Sequence, residues 1–64
     1  MIERDIWITA NELIKLYGDD AVITAALRAD ALSQQGDEQG YAIWKRVIRA
    51  INELRSAEPS GALN

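Results

Sequence analysis

The sequence predicts an all-α fold, an up-down-up three-helix bundle over approximately residues 3–17, 20–35 and 38–56. Three observations lead there: apolar residues recur at steps of three and four, two Gly-Asp steps punctuate the chain, and Gly and Pro together supply only five of 64 residues.

The first helix is marked by Ile2, Ile6, Ala10, Leu13 and Tyr17, which share one face, with Trp7 and Ile14 widening the stripe. Thr9 and Glu12 also form a capping-box pattern, with Ile8 and Leu13 placed as a hydrophobic staple. That pattern would start the helix at Thr9 behind an extended arm. The continuous helix from residue 3 is preferred, because the stripe runs unbroken through Ile6.

The steps Gly18-Asp19-Asp20 and Gly36-Asp37-Glu38 each fit a helix ending on Gly and the next opening on an Asp cap with a second acid in its first turn. Between them lies an alanine-rich segment of high helix propensity. Ala21, Val22, Ala25, Ala26, Ala29 and Leu32 fill one arc of it, and Ile23, Leu27 and Ala31 a second arc almost opposite. A helix apolar on two sides has two neighbours to satisfy. The strip carrying Thr24, Arg28 and Gln35 is expected to face water.

In the third helix Tyr41, Ile43, Trp44, Val47, Ile48, Ala50, Ile51 and Leu54 occupy about half the circumference. Lys45, Arg46, Arg49, Asn52 and Glu53 cover the other half, with Arg49 and Glu53 spaced for an ion pair. Gly40 near the start lowers propensity by about 1 kcal/mol. Residues 1–56 read as a single helical domain, and 57–64, with Pro59, Ser60 and Gly61, as a flexible tail.

Short Gly-Asp connections make successive helices antiparallel. Folding the second helix onto the third about Gly36 brings Ala29 near Trp44, Ala25 near Ile48 and Val22 near Ile51, so that small faces large along the seam. The same register puts Asp30 within reach of Lys45 or Arg46, and Arg55 near Asp19 or Asp20.

Composition narrows the function. The apolar set makes up 48% of the chain, and there is no cysteine and no histidine. Disulfides, thiol nucleophiles, Cys/His zinc sites and imidazole acid–base catalysis are therefore excluded. No segment has the roughly 18–20 uninterrupted apolar residues of a membrane span, and the start Met-Ile-Glu-Arg-Asp lacks the form of a signal peptide. A soluble, unprocessed cytoplasmic protein is expected. Net charge is −3, whereas a generic polyanion binder leans basic. A chain this short buries only about 60% of its unfolded surface, so tight packing or a partner is expected to complete it.

Asp19, Asp20, Asp37 and Glu38 are the candidates for a metal or paired-carboxylate site. Their position directly after each Gly matches helix capping, and neither step supplies the alternating oxygens of a calcium loop. No metal, cofactor or catalytic residue is assigned. Lys45, Arg46 and Arg49 form a basic face that a nucleic-acid-binding helix would also show, although three charges neutralise few phosphates. Trp44 reads as core. Trp7, Ile8 and Leu16 on the first helix, with Ile23 and Leu27 on the second, form the candidate protein interface.

Taken together, Tyr17-Gly18-Asp19-Asp20-Ala21, Arg28-Ala29-Asp30-Ala31, Gly36-Asp37 followed by Gly40, and Trp44-Lys45-Arg46 with Ile51 and Leu54 resemble a family of short uncharacterised alphaproteobacterial helical proteins, over roughly residues 3–56. The resemblance implies a small stand-alone bacterial protein and brings no functional residue with it. The function expected from the residues is a non-enzymatic protein–protein interaction module or adaptor, self-associating as a homodimer or docking on another protein. The alternatives are a nucleic-acid-associated regulator acting through the basic face, and an acidic inhibitor of a nucleic-acid-binding protein.

Overall fold

A computed structural model describes residues 2–56, and the protein is all-α over them. Helix α1 spans Glu3–Tyr17, α2 Ala21–Gln34 and α3 Glu38–Ser56. The spans of α1 and α3 coincide with those read from periodicity, and α2 is one residue shorter at each end. The tail expected at 57–64 lies outside the described residues.

The chain leaves α1 at Gly18, whose φ of 56° lies in the left-handed region, and the Gly18 N–H donates to the Ile14 carbonyl. A 3-10 turn over Gly18–Asp20 then runs directly into α2. That continuity removes the cap expected of Asp19, which lies inside the turn and whose Oδ1 accepts from Arg55 instead. Asp20, the residue before α2, has φ −90° and ψ 5°, lacks the extended backbone of an N-cap, and makes no capping hydrogen bond through its side chain.

The second Gly-Asp step does cap. Gly36, at φ 82°, donates to the Ser33 carbonyl at 3.0 Å, and Asp37 N–H donates to the Leu32 carbonyl at 2.9 Å, which together form a Schellman motif. Asp37 Oδ1 then accepts from Gly40 N–H at 2.9 Å to open α3. This geometry also explains the glycine. A Cβ on Gly40 would lie 2.6 Å from Asp37 Oδ2 and 2.9 Å from its Cγ. Asp37→Ala is expected to lower stability by about 1 kcal/mol through the lost cap. Adding Gly40→Ala to that variant should recover up to about 1 kcal/mol of helix propensity, whereas Gly40→Ala alone should recover less, because the carboxylate must turn aside. Urea denaturation of the four proteins in this cycle measures the difference.

The core is built from Ile6 and Ala10 of α1, Ala21 and Ala25 of α2, and Val47, Ala50 and Ile51 of α3, all buried. Trp7, Leu13, Ile14, Val22, Trp44, Ile48 and Leu54 pack against it half-buried. Every fully buried residue of α2 is alanine, Ala29 included. Small side chains let α2 approach α3 closely while Val47 and Ile51 supply the volume. On the α3 side of α2 the Arg28 guanidinium lies 5.9 Å from the Trp44 ring centroid.

Two contacts tie α3 to α1 and its exit. Arg46 pairs with Glu3 at 2.5 Å. Arg55 pairs with Asp19 at 2.5 Å and also donates to the Gly18 carbonyl at 3.3 Å. The Arg55–Asp19 pair is the one the register predicts. The pair expected between Asp30 and Lys45 or Arg46 is corrected: Arg46 turns to Glu3, the Lys45 ammonium lies by the Tyr41 ring, and Asp30 lies about 100° around α2 from buried Ala29, on the side away from α3. Both ion pairs are solvent-exposed, so Arg55→Ala is expected to lower stability by no more than about 1 kcal/mol, with the thermal midpoint as readout and raised salt shrinking the difference.

Candidate functional site

Leu27 keeps 67% of its surface exposed and Ile23 59%, although both sit mid-helix on α2. They are one turn apart on the side opposite Ala21, Ala25 and Ala29. The second apolar arc of this helix therefore has no neighbour among the described residues. Asp20, Asp30 and Gln34 border it, all exposed.

The other candidates separate on inspection. Leu16 is 70% exposed and ends α1 beside exposed Tyr17, at the end of the molecule where α2 begins. Ile8 is exposed too, but its neighbours on the helix surface are Arg4, Asp5, Asn11 and Glu12, so it stands alone among polar groups and forms no patch. Trp7 is half-buried against the core, and its indole N–H donates to Glu3 Oε2 at 3.1 Å. Its body belongs to the core and its edge to a polar cleft. Exposed Ile2 was not singled out by the sequence, because as the first member of the core stripe it looks inward on a helical wheel.

Glu3, Trp7, Arg46, Arg49 and Glu53 line that cleft, about 200 Å³ between α1 and α3. It is smaller than the roughly 300–1,000 Å³ of typical ligand sites, and Glu3 already bridges Trp7 and Arg46 across it. A longer trough runs beside Lys45, Arg49, Asn52 and Ser56, with all its lining on α3, so it has no opposing wall.

The basic face is present but partly committed. Arg46 is held by Glu3, and the Lys45 ammonium lies 5.9 Å from the Tyr41 ring centroid, one turn back on α3. Arg49 and Glu53 are both exposed, and the ion pair expected between them is not formed among the described residues. Thr24, expected to face water with Arg28 and Gln35, is half-buried, because it sits about 60° from Ala21 at the border of the buried arc.

No protein-family model matches this sequence, and comparison with curated proteins and with solved structures finds no match to it. Among the described residues no helix is long and apolar enough to cross a membrane. The surfaces themselves carry the functional reading.

Proposed function

We propose that this chain is a small non-enzymatic interaction module or adaptor acting in the cytoplasm, folded as an up-down-up three-helix bundle. The bundle order is supported by the ion pairs joining α3 to Glu3 and Asp19 and by Arg28 over Trp44. The observation that carries the function is the pair Ile23 and Leu27, large and aliphatic, exposed on the outward side of a helix whose inward side is packed. Covering two such side chains is favourable by a few kcal/mol at about 25 cal/mol per Å². Leu16 and Tyr17 add apolar surface at the same end of the molecule.

Tagged wild type and the Ile23→Ser/Leu27→Ser variant, compared as baits in cells that express the protein natively, test the proposal. A protein retained by wild type and lost by the variant supports it, as does a homodimer that the variant makes monomeric in light scattering. A monomer retaining the same background as its variant removes it. The nucleic-acid reading predicts instead salt-dependent binding that weakens on Arg49→Ala. With Arg46 held by Glu3, Lys45 and Arg49 are the charges that face still offers a phosphate backbone, and two cations neutralise few phosphates.

A further inference from the structure

Arg28 is the one base on α2, and its guanidinium is drawn to the Trp44 ring on the α3 side. The opposite side of α2 is therefore acidic. Ile23, Leu27 and Asp30 follow at steps of four and three, with Asp20 three residues ahead of Ile23, and all four are exposed. The three α2 positions fall within about 60° of arc. They make one strip that ends on the Asp30 carboxylate, and Asp20 closes the 3-10 turn just ahead of it.

Charge decides between occupants. In a two-fold antiparallel pairing of α2 with a second copy, the register that lays Ile23 on Leu27 of the other copy also sets Asp20 against Asp30, and symmetry repeats the clash. Four carboxylates without a cation would line that contact, and like charges at facing positions are destabilising. Sliding the register so that Leu27 meets Leu27 separates the acids but leaves Ile23 opposite Ala31. Of these two registers, one sets acid against acid and the other covers Ile23 with no more than the Ala31 methyl.

We infer that the outward strip of α2 docks a basic amphipathic helix of a partner protein, an inference that rests on the interaction reading above. Such a helix lays two large apolar side chains, one turn apart, across Ile23 and Leu27, and sets lysine or arginine against Asp20 and Asp30. The apolar pair supplies the affinity and the acids at the rim select the partner's sign and steer its approach. The net charge of −3 acts in the same direction.

The test titrates the isotope-labelled full chain with a synthetic leucine–lysine amphipathic helix of about four turns and with its leucine–glutamate counterpart, following amide shifts. The expected result is saturable binding of the lysine peptide, with shifts centred on Ile23, Leu27 and Asp30, and no binding of the glutamate peptide. Affinity should fall about tenfold or more in Ile23→Ser/Leu27→Ser and about threefold in Asp20→Asn/Asp30→Asn. Circular dichroism of the same samples confirms that these exposed-site variants keep their helices. Binding that the serine variant leaves unchanged, or shifts centred on α3, overturns the inference. A dimer that the serine variant dissociates also overturns it, by making a second copy the occupant, while the interaction reading stands. A monomer that binds neither peptide overturns the inference as well, and the interaction reading then falls only if the bait comparison finds no partner.

Discussion

Ile51→Ala is expected to lower the unfolding free energy by about 2–5 kcal/mol, the range for truncating a large aliphatic in a packed core. Ile51 has no exposed surface and lies in the cluster with Ile6, Val47 and the alanines of all three helices. A chain of 64 residues has only about 3–10 kcal/mol of stability in total. The variant should therefore be largely unfolded near the upper end of that loss and have a much lower denaturant midpoint near the lower end. Ile23→Ala removes the same atoms from a residue 59% exposed and should change stability by less than about 0.5 kcal/mol. Urea titrations followed by circular dichroism compare the two directly, and equal losses would contradict the division of α2 and α3 into buried and open faces.

Ala25→Leu attacks the same seam by overfilling it. Ala25 is fully buried where α2 meets α3, so a leucine there must push against Val47, Ile48 or Ile51, at a cost of about 1–3 kcal/mol. Ala31→Leu introduces the same side chain on the exposed side of α2 and should be close to neutral. Near-ultraviolet circular dichroism, which reports the packing of Trp44 beside the seam, should change in the first variant and not in the second. If α2 accepted leucine at both positions, close approach of α2 and α3 through alanine would not be what holds them together.

The helices were legible because their signals are local. Glycine at two turns, periodic aliphatics and an alanine-rich middle segment fix where each helix lies to within a residue, and the Gly36 turn fixes the α2–α3 register through simple geometry. Contacts that depend on all three helices were not legible. Arg46 goes to Glu3 and not to Asp30 because α1 sits beside α3, which pairing α2 with α3 alone does not reveal. Trp7 is half-buried for the same reason. The missing cap at Asp19 has a different origin, since a run of acids looks the same whether an extended residue or a 3-10 turn precedes the helix. For the candidate interface, the second apolar arc of α2 was visible in the sequence as Ile23 and Leu27. Whether another helix of the chain would cover it depended on the position of α1, which packs toward the core and leaves that side open.

α2 thus carries two apolar faces, an alanine face that packs the protein and an exposed Ile23–Leu27 face that we propose meets a partner. The most direct measurement takes wild type and Ile23→Ser/Leu27→Ser through denaturant unfolding and partner retention on the same preparations. The predicted result is an unfolding free energy changed by less than about 1 kcal/mol over the two sites together with loss of the partner. A large drop in stability with the partner retained would show that the outward face serves the fold, and would contradict the account.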